Sequence, residues 1–76
     1  MPHIDVKFFP QDLSDFQKQE LVSDLCNVLK AHLGSKDGSI SVALTEVSAD
    51  RWKEEVYDPV IKPALGRLAK KPGYTL

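Results

Sequence analysis

Apolar and polar residues alternate cleanly at the start of the chain. Ile4, Val6 and Phe8 fall on one face while His3, Asp5 and Lys7 fall on the other. That period of two predicts a strand over residues 2 to 9 with one buried face. Pro10 cannot donate to a ladder and ends it. The period then changes. Leu21, Val22, Leu25, Cys26, Val28, Leu29 and Leu33 recur at three- and four-residue steps, an apolar stripe along a helix. Ser14 followed three residues later by Gln17 reads as a capping box at its start. Gly34 suits the left-handed residue at its end. Asp15 and Glu20 early, with Lys30 late, complement the helix dipole.

Ser35-Lys36-Asp37-Gly38 predicts a turn. A second strand follows from Ser39 to about Val47, with Ile40, Val42 and Leu44 on one face and Ser41, Ala43 and Thr45 on the other. Strand, long helix, strand makes a parallel βαβ unit with a right-handed crossover. The last third predicts short helices. Asp50 caps one over Arg51 to Tyr57, which Asp58-Pro59 interrupts. Pro63 starts another through Leu65, Leu68 and Ala69, and Pro72-Gly73 stops it. The tail Tyr74-Thr75-Leu76 either frays or pairs with a neighbour.

Length decides how such a chain reaches stability. The 76 residues make one α/β domain, residues 1–76, and a chain of that size buries only about 60% of its unfolded surface. Disulfides cannot help, because Cys26 is the one cysteine. With His3 and His32 it falls short of a four-ligand zinc set, so no metal is expected. Two strands and one helix do not close a core either. A second copy remains: a homodimer sharing a four-stranded sheet, with both long helices on one face.

Charge narrows the partners. Ten Lys and Arg against eleven Asp and Glu give a net charge of -1, which argues against nucleic acid. Lys70-Lys71 reads as a helix C-terminus rather than a phosphate tract. No apolar run approaches the roughly 20 residues of a membrane span, and residues 1–10 lack a signal-peptide core. The unpaired cysteine suits a reducing compartment. A soluble, cytoplasmic protein is expected.

Side chains supply little obvious chemistry. There is no nucleophile elbow, P-loop or zinc-protease motif. Cys26 lies on the apolar stripe, where packing explains it. His32 ends a helix, where a cation meets the dipole, and His3 lies on the polar strand face. Pro2 stands out. An initiator Met before proline is commonly removed, and a free N-terminal proline is a secondary amine. In an apolar pocket near cations its pKa falls, giving a neutral base near pH 7. Composition alone favours a plainer reading, in which Pro2 merely opens a strand.

The opening Pro2-His3-Ile4-Asp5-Val6-Lys7, directly after Met1, resembles the tautomerase superfamily, in particular the 4-oxalocrotonate tautomerase family. Gln17-Lys18, Ser39-Ile40-Ser41-Val42-Ala43-Leu44, Thr45-Glu46-Val47 and Trp52 extend the likeness. Leu33 to Asp37 and Lys70 to Tyr74 resemble its dimeric bacterial members, so it covers essentially the whole chain. The resemblance implies that Pro2, once exposed, is the catalytic base, working without a cofactor. It would move a proton between the enol oxygen and a carbon of a 2-keto or 2-hydroxydienoate substrate. It also implies an aromatic wall, at Trp52.

Two departures bear on substrate. The hexameric tautomerases carry an arginine on strand two, where this chain has Ser41, and another in the loop after strand one, which here reads Pro10-Gln11-Asp12-Leu13. Without those guanidinium clamps, the remaining groups for a carboxylate are Arg51, Lys36 and the backbone N–H groups of Ser39 and Ile40. A less charged small molecule is expected, such as the enol of phenylpyruvate. Two other functions compete with this one. A superfamily hydratase, dehalogenase or decarboxylase would use a charged Pro2 as acid, but wants arginines, and the chain has only Arg51 and Arg67. A non-catalytic dimeric binding module would keep Pro2 as a relic.

Overall fold

The computed structural model describes residues 1–76. Strands β1 (His3–Phe8) and β2 (Ser41–Glu46) lie side by side and run parallel, joined through helix α1 (Asp15–Leu33). This is the expected βαβ unit. Register pairs His3 with Ser41, Ile4 with Val42, Val6 with Leu44 and Phe8 with Glu46. The two apolar rows therefore share one face of the ladder, and the polar rows share the other. The ladder continues past both strands: Ser41 N–H donates to the Pro2 carbonyl at 3.2 Å, and Val47 N–H to that of Phe8 at 2.8 Å.

Helix α1 begins and ends where its punctuation predicts. Gln17 N–H donates to Ser14 Oγ at 3.1 Å, and Ser14 N–H donates to Gln17 Oε1 at 2.8 Å. Both halves of the capping box are thus made. Gly34 takes φ 65°, and its N–H donates to the Lys30 carbonyl. Only glycine adopts that left-handed conformation without penalty. The helix buries none of its residues. Phe16, Val28 and Leu33 are largely exposed, and Leu25, Cys26 and Leu29 are half-exposed.

Strand β2 starts at Ser41 rather than Ser39. A single 3-10 turn over Asp37–Ser39 takes the preceding residues. Ser39 N–H and its hydroxyl both donate to the Lys36 carbonyl, at 3.0 and 2.8 Å, and Ile40 N–H donates to that of Asp37 at 3.2 Å. Those local bonds satisfy the donors that a longer ladder would use.

The C-terminal third is more helical than the prolines suggest. After a turn at Ala49–Arg51, a helix of the wide π winding runs over Lys53–Ile61 and passes through Asp58-Pro59 without a break. In an α-helix, proline clashes with the carbonyl four residues back; a wider winding moves that carbonyl aside. Ser48, not Asp50, stands before the first turn, and it makes no side-chain cap. A 3-10 segment over Lys62–Arg67 follows, with Pro63 in its first turn. It stops at Arg67, short of Pro72, because Leu68 is extended at φ -67° and ψ 134°. The buried side chains sit here: Val47 after β2, and Val56 and Tyr57 in the helix. No helix is long and apolar enough to cross a membrane.

The reciprocal cap at Ser14 gives a direct check. Ser14→Ala should lower stability by about 1 kcal/mol, the usual value of an N-cap hydroxyl, read as a lower urea midpoint at unchanged slope. An unchanged midpoint would mean that the box contributes nothing to α1.

Candidate active site

Pro2 is positioned by the head of the ladder. Its carbonyl accepts from Ser41 N–H, and the register carried one step back sets it opposite Ile40. Pro2 and Ile40 are both half-buried, with Ser39 beside them. The N–H groups of Ser39 and Ile40 are already occupied within the 3-10 turn. They are therefore closed to a substrate carboxylate, and these residues can contribute shape rather than hydrogen bonds. With Met1 attached, Pro2 nitrogen is a tertiary amide whose lone pair is delocalised, so it is no base. Met1 itself is wholly exposed.

The polar face of the ladder starts at the same end. His3 Nδ1 lies 2.6 Å from Ser41 Oγ. The Thr45 hydroxyl donates to Asp5 at 3.1 Å, and Lys7 makes an ion pair with the same carboxylate. The Lys7 ammonium, followed by the Thr45 hydroxyl, holds the Asp5 carboxyl below the ordinary aspartate range. Ser41 is thus tied to a histidine.

The other predicted residues lie at the opposite end of β1. Phe9 and Trp52 meet edge to face, with ring centroids 5.2 Å apart and planes at 88°. Trp52 Nε1–H donates to the Tyr74 hydroxyl at 3.0 Å. Tyr74 leans on Tyr57, centroid to centroid 5.8 Å. Phe9, Trp52, Tyr74 and Leu76 line an apolar cavity of about 480 Å³. A void near 150 Å³ is enough for benzene, so this one admits an aryl group with its substituents. Arg51, next to Trp52, is exposed and engaged. Its guanidinium bonds Glu55 at 2.8 Å and lies 4.0 Å from Glu54, and Glu55 above all pushes its pKa further up.

One chain does not bring these halves together. A strand advances about 3.3 Å per residue, which separates Pro2 from Phe9 by roughly 20 Å. Pro2, Ser39 and Ile40 form one cluster; Trp52 and Arg51 belong to the other. Phe9, Tyr74 and Leu76 were not legible as site residues. Phe9 falls at a strand end whose alternation breaks, and Tyr74 belongs to a tail with no periodicity at all.

A second groove, of about 500 Å³, runs along α1 past Lys18, Val22, Cys26 and Lys30 to Asp37. Lys30 and Asp37 pair there at 2.8 Å, which lowers the carboxyl and raises the ammonium.

The depressed Asp5 carboxyl makes a pH prediction with a definite sign. Its folded pKa lies below its unfolded one, so its contribution is present above about pH 3.9, the ordinary aspartate value, and is lost as pH falls through the lower folded value. Asp5→Asn should flatten that part of the acid limb of a urea-midpoint profile. A slope unchanged from wild type would show that the Lys7–Asp5–Thr45 contacts do not persist in solution.

Comparison with known proteins agrees with the fold. The family described as Tautomerase enzyme matches residues 2–56. Tautomerase PptA of Pectobacterium carotovorum subsp. carotovorum (strain PC1) is 61% identical over 75 residues, 99% of each chain. Tautomerase PptA of Cronobacter sakazakii is 58% identical over the full length of both, and that of Escherichia coli O139:H28 is 45% identical over the same span. Among solved structures, DmpI from Helicobacter pylori superposes with a TM-score of 0.58 at 28% identity, covering 63% of this chain and 79% of its own. With a family match over most of its length and full-length relatives of that name, the chain belongs to the tautomerase family and is an isomerase of the tautomerase type.

Proposed function

We propose that the protein is a cofactor-independent keto–enol tautomerase acting on enols of 2-keto acids such as phenylpyruvate, with Pro2 as its general base after loss of Met1. The observation that carries the reading is the seating of Pro2 at the head of β1 in a chain whose family match opens at that same residue. As a free secondary amine, Pro2 takes the proton of the enol hydroxyl as the carbonyl forms. It then returns that proton to the adjacent carbon. Atoms and charge balance with no cofactor.

The separation along β1 supports a homodimer. If two β1 strands pair antiparallel across a two-fold axis, Pro2 of one copy comes beside Phe9 and Trp52 of the other. Each site then combines a base from one chain with an aromatic wall from its partner. Only three of the 76 residues are buried in the single chain, while α1 leaves Phe16, Val28 and Leu33 exposed. That is the surface a shared four-stranded sheet and its two helices would cover. Ser39 and Ile40 would border the substrate beside Pro2. Arg51 and Lys36 are the cations for its carboxylate, Arg51 exchanging Glu55 for it. An apolar aromatic cavity favours an aryl enol over a dicarboxylate. Cys26, unpaired in a reducing environment, fits a cytoplasmic enzyme.

Removing the base tests the chemistry. Pro2→Ala should lower kcat for the phenylpyruvate enol at least about 10²-fold, the lower end of general-base contributions. Intact mass of active protein should be short by one methionine, and a Met1-retaining sample should be nearly inert. The activity of the processed form should rise with pH through the pKa of the proline. Full activity with Met1 in place would eliminate Pro2 as the base and favour a non-catalytic role for it.

Sedimentation tests the assembly separately. The sedimenting species at micromolar concentration should have twice the 8.5 kDa chain mass. A stably folded monomer would overturn the composite site.

A further inference from the structure

We infer that Tyr74, in the C-terminal tail, is a positioning residue that fixes the plane of the Trp52 indole and thereby sets the enzyme's preference for aryl enols. The inference rests on the tautomerase reading above and goes on to specify what selects the substrate. Trp52 is only half-buried, so packing alone does not hold its ring. Two contacts do. Phe9 meets it edge to face, which constrains the tilt of the indole. The Tyr74 hydroxyl accepts from Nε1–H, the single hydrogen bond that an indole can donate. That bond removes the ring flip about the terminal torsion, which is otherwise broad.

Tyr74 in turn needs an anchor, because Tyr74–Leu76 makes no backbone hydrogen bond. Tyr57 supplies it: the tyrosine is 2% exposed and its ring contacts that of Tyr74. Position is passed from the buried Tyr57 to Tyr74, and from Tyr74 to the indole that faces the cavity. The same fold-over seats Leu76 as the fourth wall of that cavity. The tail borders the cavity, and its attachment is side-chain chemistry alone.

Trp52 is the only tryptophan, so its emission reports this contact without interference. Tyr74→Phe keeps the ring on Tyr57 and deletes only the hydroxyl. It should shift the Trp52 emission maximum. It should also raise KM for the phenylpyruvate enol about three- to tenfold, the factor that one neutral hydrogen bond is worth, with kcat unchanged, as for lost uniform binding. KM for the enol of a 2-keto acid with a methyl side chain should stay at its wild-type value. Unchanged emission together with unchanged aryl KM would overturn the inference. So would an equal loss for both substrates accompanied by a lower urea midpoint, which would mark Tyr74 as merely structural. Pro2→Ala run alongside separates the two claims: if that variant stays active, the base assignment fails, while the Tyr74→Phe emission and the aryl-to-methyl KM ratio still decide the role of the tail.

Discussion

Backbone pairing between β1 and β2 joins His3 to Ser41 across a sequence separation of 38 residues, and the geometry of the candidate site follows from that register. It extends one bond beyond the strands at each end, to Pro2 and to Val47. The first of these bonds seats the proline. The second leads β2 directly into the buried cluster of Val47, Val56 and Tyr57. A slip of one residue would turn every side chain of a strand to the other face. His3, Asp5 and Lys7 would then meet Val42 and Leu44, and Pro2 would lose its place beside Ile40.

The same ladder imposes a division of labour. Its length keeps the proline end away from the aromatic end, and no rearrangement of exposed side chains spans roughly 20 Å. Pro2 and the cavity beside Trp52 therefore lie at opposite ends of β1. In the proposed homodimer an antiparallel second copy would unite them, because it reverses one strand relative to the other. Incomplete burial and an incomplete site then have a common origin. Both follow from a fold with two strands where a stable sheet needs more.

Arginine is used sparingly around this site, and the reason is local. Ser41, on strand β2, is hydrogen-bonded to His3. Arg51 is neutralised by Glu54 and Glu55 on its own helical turn. What remains is a cavity lined by the apolar side chains of Phe9, Trp52, Tyr74 and Leu76. Aromatic walls favour particular stacking geometries, so the orientation of the Trp52 indole sets the shape of that cavity.

Periodicity made the βαβ unit legible, because alternation over Ile4, Val6 and Phe8 and three-four spacing over Leu21 to Leu33 each admit one regular structure. Ser14, Gln17 and Gly34 marked the ends of α1 for an equally local reason: their caps are made within a few residues of the chain. Pro2 was legible through chemistry and family likeness rather than pattern. Competing backbone geometries and distant contacts decided the rest. Ser39 and Ile40 continue the alternation of β2, but their donors bond carbonyls three residues back in a turn. Pro59 predicts a break, yet the wider winding carries the helix through it beside a buried Tyr57. The tail had no periodicity to read, since its structure comes from Tyr74 meeting Trp52 and Tyr57, residues far from it in sequence. Local hydrogen-bond geometry and hydrophobic spacing are written in consecutive residues; which distant side chains share a cavity is settled only when the chain has folded.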